Sequence, residues 1–159
     1  MDNNLKIRFA KPEDAEDMKR LIKEFRQEGL DAYNLSFDND SLDLLIDIFC
    51  HSEICTVIVG LIDGQIKGII AGTIQPSSFD RNEKLAEEKI WFVSKDARGT
   101  KLGTQMLDFF EYCVKTKGAK KLIMANMESI NDGVMKRFYE RRGYRELETH
   151  FIKNLEEVT

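Results

Sequence analysis

The stretch of residues 89–117 constrains the fold of this chain more than any other, because it joins a strand, a glycine-containing turn and a helix. Residues 90–93 read Ile-Trp-Phe-Val, an apolar run of β-formers that predicts a short buried strand. Apolar side chains then recur at helical spacing between Leu102 and Val114, and Gly118 is suited to end that helix. We therefore expect a strand and a helix joined by a polar loop, residues 94–97, and a glycine-containing turn.

The turn between that strand and that helix has the composition of an anion-binding site. Residues 98–104 read Arg-Gly-Thr-Lys-Leu-Gly-Thr. The first N–H groups of a helix have no partner within the helix, and the helix dipole favours negative charge beside them. Gly99 and Gly103 allow a ligand close to the backbone, while Arg98 and Lys101 add positive charge. The alternative is that both cations are simply solvated at a helix start, but the preceding strand and following helix favour a phosphate site.

Length and charge limit the classes of protein to which this chain can belong. Its 159 residues fit one domain, residues 1–159, without a Pro-rich or low-complexity linker. The 24 basic and 28 acidic residues give a net charge of −4, which argues against nucleic acid as the main partner. No apolar run has the length of a membrane span, no secretory leader is visible, and the three cysteines are consistent with reduced thiols. We expect a cytoplasmic domain that binds neither a membrane nor nucleic acid.

The remaining patterns extend the order of strands and helices over the whole chain. Asp63-Gly64 is a hairpin signal between two β-branched runs, and residues 75–88 predict a polar loop. Ser41 is a candidate cap for the second helix, and residues 144–155 fit one strand, or two strands with a kink. The predicted strands are residues 5–9, 54–62, 65–74, 90–93, 121–125 and 144–155, and the predicted helices are residues 12–29, 41–49, 102–117 and 131–142. This order predicts an α/β (α+β) fold, a mixed, mostly antiparallel central sheet flanked by helices on both faces.

Two segments resemble motifs of the GNAT superfamily of acyl-CoA-dependent N-acyltransferases. Val93-x-x-x-x-Arg98-Gly99-Thr100-Lys101-Leu102-Gly103-Thr104 is similar to the superfamily's pyrophosphate motif, Arg/Gln-x-x-Gly-x-Gly/Ala, with Lys101 where the first motif glycine usually stands. Phe138-Tyr139-Glu140-Arg141-Arg142-Gly143-Tyr144 is similar to its Tyr-Glu-x-x-Gly-Phe segment. The order of elements resembles the superfamily over nearly the whole chain, with a short last strand.

The resemblance implies that acetyl-CoA binds along the central strand and the turn after it. The turn would hold the pyrophosphate, and the backbone of Phe92, Val93 and Ser94 would hold the pantetheine arm and supply an N–H to the oxyanion. The implied cofactor-binding residues are Phe92, Val93, Ser94, Arg98, Gly99, Thr100, Lys101, Leu102, Gly103, Thr104, Asn131 and Tyr139. The side chains of Trp91 and Val93 are expected to belong to the core.

Three residues are candidates for proton transfer. Tyr139 matches the tyrosine that many members of the superfamily use as a general acid toward the leaving thiolate; the alternative is a buried tyrosine that packs on the sheet. Glu87 and Glu88 precede the central strand, where some members have a glutamate base. Strand alternation puts the two carboxylates on opposite faces, so at most one is expected to point inward, and a solvated loop carboxylate is the alternative for each.

The resemblance implies an N-acetyltransferase that transfers acetyl from acetyl-CoA to a primary amine of a small molecule or peptide by direct attack in a ternary complex. The alternative is a catalytically silent acyl-CoA-binding or interaction module with the same fold. No metal site is expected, because Cys50, His51 and Cys55 lack a second pair of ligands. A short last strand would leave a sheet edge that a second subunit could cover, which suggests a homodimer.

Overall fold

The structure is a computed structural model that describes residues 4–127 and 133–156. Its centre is a five-stranded sheet in the order β1-β2-β3-β4-β5. The first four strands run antiparallel to their neighbours, and β5 runs parallel to β4. The strands are β1 (Leu5–Phe9), β2 (Cys55–Ile62), β3 (Gln65–Pro76), β4 (Lys84–Val93) and β5 (Lys121–Ile123). The prediction of a mixed, mostly antiparallel sheet is confirmed.

Helices cover both faces of this sheet, as predicted. The helices are α1 (Ala15–Gly29), α2 (Asn39–His51), α3 (Leu102–Thr116) and α4 (Val134–Arg141), and short 3-10 turns occur at Pro12–Asp14, Asp31–Tyr33 and Lys95–Ala97. Helices α1 and α2 pack against one face, where Ile69 and Phe92 are buried. Helices α3 and α4 pack against the other face, where Ile70 is buried. Because the central strands are covered on both sides, their sequences read as continuous apolar runs. No described helix has the length and apolar character that crossing a membrane requires.

The hairpin between β2 and β3 forms at the predicted turn. Asp63 and Gly64 both have positive φ angles, 50° and 82°, as a two-residue hairpin turn of type I′ requires. Helix α2 begins earlier than predicted, since the Asp38 side chain accepts the Ser41 N–H at 2.9 Å. Asp38, and not Ser41, is therefore the cap of this helix.

The prediction of a loop over residues 75–88 is wrong for most of its length. Strand β3 continues to Pro76 and β4 begins at Lys84, with Gln75 opposite Leu85 in the ladder. Each strand supplies the hydrogen-bonding partner that lets the other continue, and Ala86 is fully buried against α3. Strand pairing therefore stabilises an extended conformation in residues whose polar sequence suggests a loop. Only residues 77–83 connect the two strands.

The predicted strand over residues 144–155 is also wrong. None of these residues is in a strand, and β5 ends at Ile123 instead of residue 125. The apolar side chains of the segment remain exposed, Leu147 at 69% and Phe151 at 94%. A strand pattern needs a neighbouring strand to supply hydrogen bonds, and no described residue pairs with this segment in the sheet.

Candidate active site

Strands β4 and β5 pair only briefly and then separate. The ladder joins Leu85–Glu87 of β4 to Lys121–Ile123 of β5 and ends there. On its other side, β4 stays paired with β3 through a bulge at Lys89, since Glu88 lies opposite Gly72 and Ile90 opposite Ala71. From residue 88 to residue 93, one edge of β4 therefore has no described strand beside it. We call the space between these residues and residues 124–127 the β4–β5 opening.

Glu88 lies at the point where the two strands separate. Its Oε2 accepts the N–H of Ala125 at 3.0 Å, so a side chain replaces the backbone partner that a continuing ladder would supply. Burial raises the pKa of Glu88 to about 7, against the opposing effect of the Ala125 hydrogen bond. Glu87 points to the opposite side, as alternation predicts, where it is exposed and pairs with Lys89 at 3.2 Å.

Tyr139 of α4 also binds Ala125, the residue that Glu88 contacts. Its hydroxyl donates to the carbonyl oxygen of Ala125 at 3.1 Å, and its ring is buried beside Trp91 and Tyr144. Burial raises the pKa of Tyr139 well above its usual range, and the negative charge of Glu88 raises this pKa further. The Glu88 carboxylate and the Tyr139 phenol, both with raised pKa values, thus bind the N–H and the carbonyl of Ala125.

The turn of residues 98–104, which we call the α3 turn, presents unpaired N–H groups. Gly99 has a φ of 82°, and a Cβ there would meet nothing within 4 Å. The Thr100 hydroxyl donates to the Ala97 carbonyl at 2.7 Å and accepts the Leu102 N–H at 3.2 Å, which fixes the bend. Within the described part of the chain, five other N–H groups have no acceptor: those of Gly99, Thr100, Lys101, Gly103 and Thr104. These donors at a helix N-terminus, beside the exposed Lys101, fit a phosphate.

Helix α3 begins close against β4. A Cβ at Gly103 would lie 3.5 Å from Val93 Cγ2 and 3.7 Å from Trp91 Cζ2, so the first turn of the helix contacts both side chains. The Trp91 Nε1 atom is buried, and no described group accepts its hydrogen bond. Ser94 donates its N–H to the Lys67 carbonyl of β3 at 2.8 Å. By alternation, the backbone groups of Phe92 also face β3, whereas those of Trp91 and Val93 face the β4–β5 opening.

The Arg98 side chain is bound within the protein. Its Nε donates to the Val93 carbonyl at 2.9 Å, and a terminal nitrogen donates to Glu28 of α1 at 2.7 Å. Glu24, one helical turn before Glu28, accepts the Ser94 hydroxyl at 2.9 Å. Neither glutamate is recognisable as a site residue from the sequence, because two acids spaced by four residues on a helix usually lie on a solvated surface.

The structure thus brings most of the sequence-predicted residues to one side of β4. Val93, the α3 turn, Glu88 and Tyr139 lie around or beside the β4–β5 opening. The backbone groups of Phe92 and Ser94 face β3 instead of the opening, and Glu87 points away from Glu88. Leu102 is fully buried, and its N–H is already bonded to Thr100. Asn131 lies outside the described residues. No group of three or more His, Cys, Asp and Glu side chains in residues 4–127 and 133–156 could hold a metal ion.

Comparison with solved structures finds the same fold in several acetyltransferases. An aminoglycoside acetyltransferase from an uncultured soil metagenomic sample is 18% identical, with a TM-score of 0.75 over 98% of this chain and 99% of that chain. The glucosamine-6-phosphate N-acetyltransferase of Arabidopsis thaliana is 17% identical, with a TM-score of 0.73 over 96% and 99%. AAC(6′)-Iy, in complex with the bisubstrate analogue CoA-S-monomethyl-acetylneamine, is 14% identical, with a TM-score of 0.73 over 96% and 99%. At these identities the likeness concerns the fold.

Comparison of the sequence itself gives the family. No curated protein matches the chain. A family model described as the acetyltransferase (GNAT) family matches residues 18–144, a segment that contains Glu88, the α3 turn and Tyr139. The match covers most of the chain and confirms the resemblance found in its motifs. The chain belongs to the acetyltransferase (GNAT) family and is an acyltransferase.

Proposed function

We propose that this acyltransferase transfers an acetyl group from acetyl-CoA to a primary amine, by direct attack of the amine within a ternary complex. The main supporting observation is that Glu88 and Tyr139 both bind Ala125 at the point where β4 and β5 separate. A proton acceptor and a proton donor therefore flank one small region of the β4–β5 opening. The N–H groups of the α3 turn lie beyond the other end of the unpaired β4 edge.

The residues along this edge fit acetyl-CoA, which supplies a thioester acyl group and a thiol leaving group. The unpaired N–H groups of the α3 turn and the Lys101 side chain would bind the pyrophosphate. The backbone groups of Trp91 and the N–H of Val93 would hydrogen-bond the pantetheine arm along the opening, with Phe92 and Ser94 holding the strand on β3. The unpaired Trp91 Nε1 is a further donor on this side of the sheet.

Glu88 is the proposed general base. An amine is mostly protonated near neutral pH and must lose a proton before its nitrogen can attack a carbonyl carbon. A carboxylate with a pKa of about 7 holds that proton better than an ordinary glutamate does, yet is still partly ionised at neutral pH. Glu87 is less suited, because it is exposed and paired with Lys89.

Tyr139 is the proposed general acid. Its hydroxyl would give its proton to the thiolate sulfur as the carbon–sulfur bond breaks and the new carbon–nitrogen bond forms. The raised pKa of Tyr139 opposes this transfer, but part of the rise comes from the charge of Glu88. Once Glu88 has taken the amine proton, that charge is gone. We therefore infer an order in which Glu88 accepts a proton before Tyr139 gives one.

The acceptor is proposed to be a small-molecule or peptide amine. Proteins of this fold include an aminoglycoside acetyltransferase, a glucosamine-6-phosphate N-acetyltransferase and a ribosomal-protein-alanine N-acetyltransferase from Brucella melitensis. An acceptor screen should therefore contain aminoglycosides, amino sugar phosphates and a peptide with an N-terminal alanine.

The test is amine-dependent release of CoA thiol from acetyl-CoA by the purified chain. The proposal expects turnover with at least one class of amine, and its loss in Glu88→Gln. If the protein binds CoA but releases no thiol with any acceptor, the chemistry proposed for Glu88 and Tyr139 is contradicted, and the silent acyl-CoA-binding module is the better account.

We also propose that the chain works as a cytoplasmic homodimer. Cys50, Cys55 and Cys113 are free thiols, which suits a reducing compartment. Leu147, Phe151 and Leu155 recur at even spacing in the segment after α4 and are 69%, 94% and 85% exposed. A second copy would cover this apolar row and the short β5 edge. Light scattering should give the mass of a dimer, and Phe151→Glu should give that of a monomer; a monomeric wild type contradicts the proposal.

A further inference from the structure

We propose that Arg98 is a positioning residue, which Glu28 holds against β4 so that the backbone N–H groups of the α3 turn stay open to the pyrophosphate. On this view the guanidinium itself does not contact the phosphates. The inference rests on the proposed function, because it concerns how the chain would bind acetyl-CoA.

The contacts of Arg98 use its planar, forked shape. The Nε atom donates to the Val93 carbonyl at 2.9 Å, while a terminal nitrogen donates to Glu28 Oε2 at 2.7 Å. The same guanidinium lies 5.2 Å from the centroid of the Phe92 ring. One side chain thus joins the end of β4, helix α1 and the first residue of the α3 turn. Any movement of the guanidinium toward the phosphates would break its contacts with the Val93 carbonyl and the Glu28 carboxylate.

Two further contacts hold the residues just before the turn. Glu24 Oε2 accepts the hydroxyl of the buried Ser94 at 2.9 Å, and its Oε1 accepts a hydrogen bond from Arg20 at 3.0 Å. Lys67 of β3 pairs with Asp96 at 2.7 Å. Side chains from α1 and β3 therefore fix residues 94–98 without using any N–H group of residues 99–101, 103 or 104.

The charges around Arg98 also favour a positioning role over direct contact with the phosphates. Glu28 lies against Arg98 and offsets its positive charge, which would weaken any attraction between this residue and a pyrophosphate. Lys101 is exposed and has no ion pair within the described residues, so it can offer its charge to a ligand. The two cations of the sequence motif therefore have different roles, although they stand three residues apart.

The test substitutes Arg98→Lys, which keeps the positive charge but cannot reproduce the fork. A lysine presents one ammonium group and cannot span Val93 and Glu28 as the guanidinium does. We expect Arg98→Lys to weaken CoA binding about fivefold in calorimetric titration, from the loss of a hydrogen bond that shapes the turn. Arg81→Lys, the same change at an exposed arginine in the β3–β4 connection, is the control and should leave CoA affinity unchanged.

Glu28→Gln provides a second, independent test of the positioning role of Arg98. The positioning role predicts weaker CoA binding by Glu28→Gln, and little further loss when Glu28→Gln is added to Arg98→Lys, because both changes break one contact. If Arg98 binds phosphate directly, Glu28→Gln should free it and tighten CoA binding, and Arg98→Lys should bind nearly as well as the wild type. Either of these results overturns the inference. Thermal unfolding of each variant checks that it is folded, and a lower melting temperature with unchanged CoA affinity also overturns it.

The wild-type titration separates this inference from the proposed function. If the folded wild type binds no CoA, the proposed function fails and this inference fails with it. If the wild type binds CoA and Arg98→Lys binds it equally well, only the role of Arg98 is wrong.

Discussion

At the scale of single residues, the site depends on two side chains that share one backbone residue. Glu88 and Tyr139 hold the N–H and the carbonyl of Ala125, which are unpaired by any strand because β4 and β5 have separated there. The polar groups of a broken ladder must be satisfied, and here two titratable side chains satisfy them. The same burial that raises both pKa values makes the pair suited to proton transfer.

The pKa of Glu88 gives a prediction for the pH dependence of activity. As a base, Glu88 works only when ionised, so kcat/KM should rise with pH through an apparent pKa of about 7. Glu88→Gln should lower kcat about 100-fold or more and should abolish this step in the profile. A Glu88→Gln enzyme that keeps both the rate and the step contradicts the assignment.

The same pKa gives a separate prediction for stability. Because folding raises the pKa of Glu88 from 4.5 to about 7, the folded state holds this proton more tightly than the unfolded state. The contribution of Glu88 to the free energy of unfolding should therefore be present below pH 4.5 and should be lost as pH rises through about 7. Urea unfolding at pH 5 and pH 8 should show a larger decrease for the wild type than for Glu88→Gln. Equal decreases would mean that folding does not raise the pKa of Glu88.

Tyr139→Phe tests the proposed acid. The change removes the proton donor and leaves the ring packing in place, so kcat should fall about 100-fold while the Kd for CoA stays within about twofold. The lost hydrogen bond to Ala125 should cost about 1 kcal/mol in the free energy of unfolding. An unchanged kcat together with that loss of stability would identify Tyr139 as a packing residue only.

The motif residues could be identified from the sequence, because their types and spacing match those of a known phosphate-binding motif. The groups that each side chain contacts could not be predicted in this way. Arg98 and Lys101 look alike in the sequence as two cations at a helix start. Their difference depends on Glu28, which lies 70 residues before Arg98 and meets it only when α1 packs on the sheet.

At the scale of elements, β4 determines the site, because it is paired along its whole length on one side and along only three residues on the other. Its bulge at Lys89 is made possible by Gly72 on β3. A Cβ at Gly72 would lie 2.6 Å from the Glu87 carbonyl oxygen and 2.7 Å from Phe110 Cζ. The glycine therefore allows β3 to approach the bulge that positions Glu88.

Gly72→Ala should destabilise the protein by about 1–3 kcal/mol, since a backbone oxygen and a buried ring must move. Gly68→Ala is the matched control on the same strand. Its Cβ would lie 2.6 Å from Met106 Sδ, near the end of a flexible side chain that can rotate, so its cost should be smaller. Urea unfolding compares the two, and an equal or larger loss for Gly68→Ala would contradict this account of the bulge.

Elements with a local signal were predictable from the sequence, and elements that depend on distant pairing were not. The Asp63-Gly64 hairpin and the amphipathic helices α1 and α3 follow from turn chemistry and apolar spacing. Residues 84–88 look polar and became a strand because β3 extends beside them. Residues 144–155 have a strand pattern but no strand beside them.

At the scale of the whole molecule, the fold places a helix N-terminus, an unpaired strand edge and the Glu88–Tyr139 pair proposed for proton transfer in one path along β4. Helix α3 follows β4 directly, and α4 packs over the same face, so the three parts come from the segment 84–141. Helix α1 lies on the opposite face, where Glu24 binds Ser94 before the α3 turn and Glu28 binds Arg98 at its first residue. We propose that acyl-CoA binds along this path.

Binding along this path is tested most directly by titrating CoA into the protein and following tryptophan fluorescence. Trp91 is the only tryptophan of the chain, and it contacts the start of α3 beside the β4–β5 opening, so its emission reports on this path alone. We predict a saturable change in Trp91 emission with a Kd that agrees with calorimetry. If CoA binding is detected by calorimetry without any change in Trp91 emission, or is not detected at all, the path along β4 is not the acyl-CoA site.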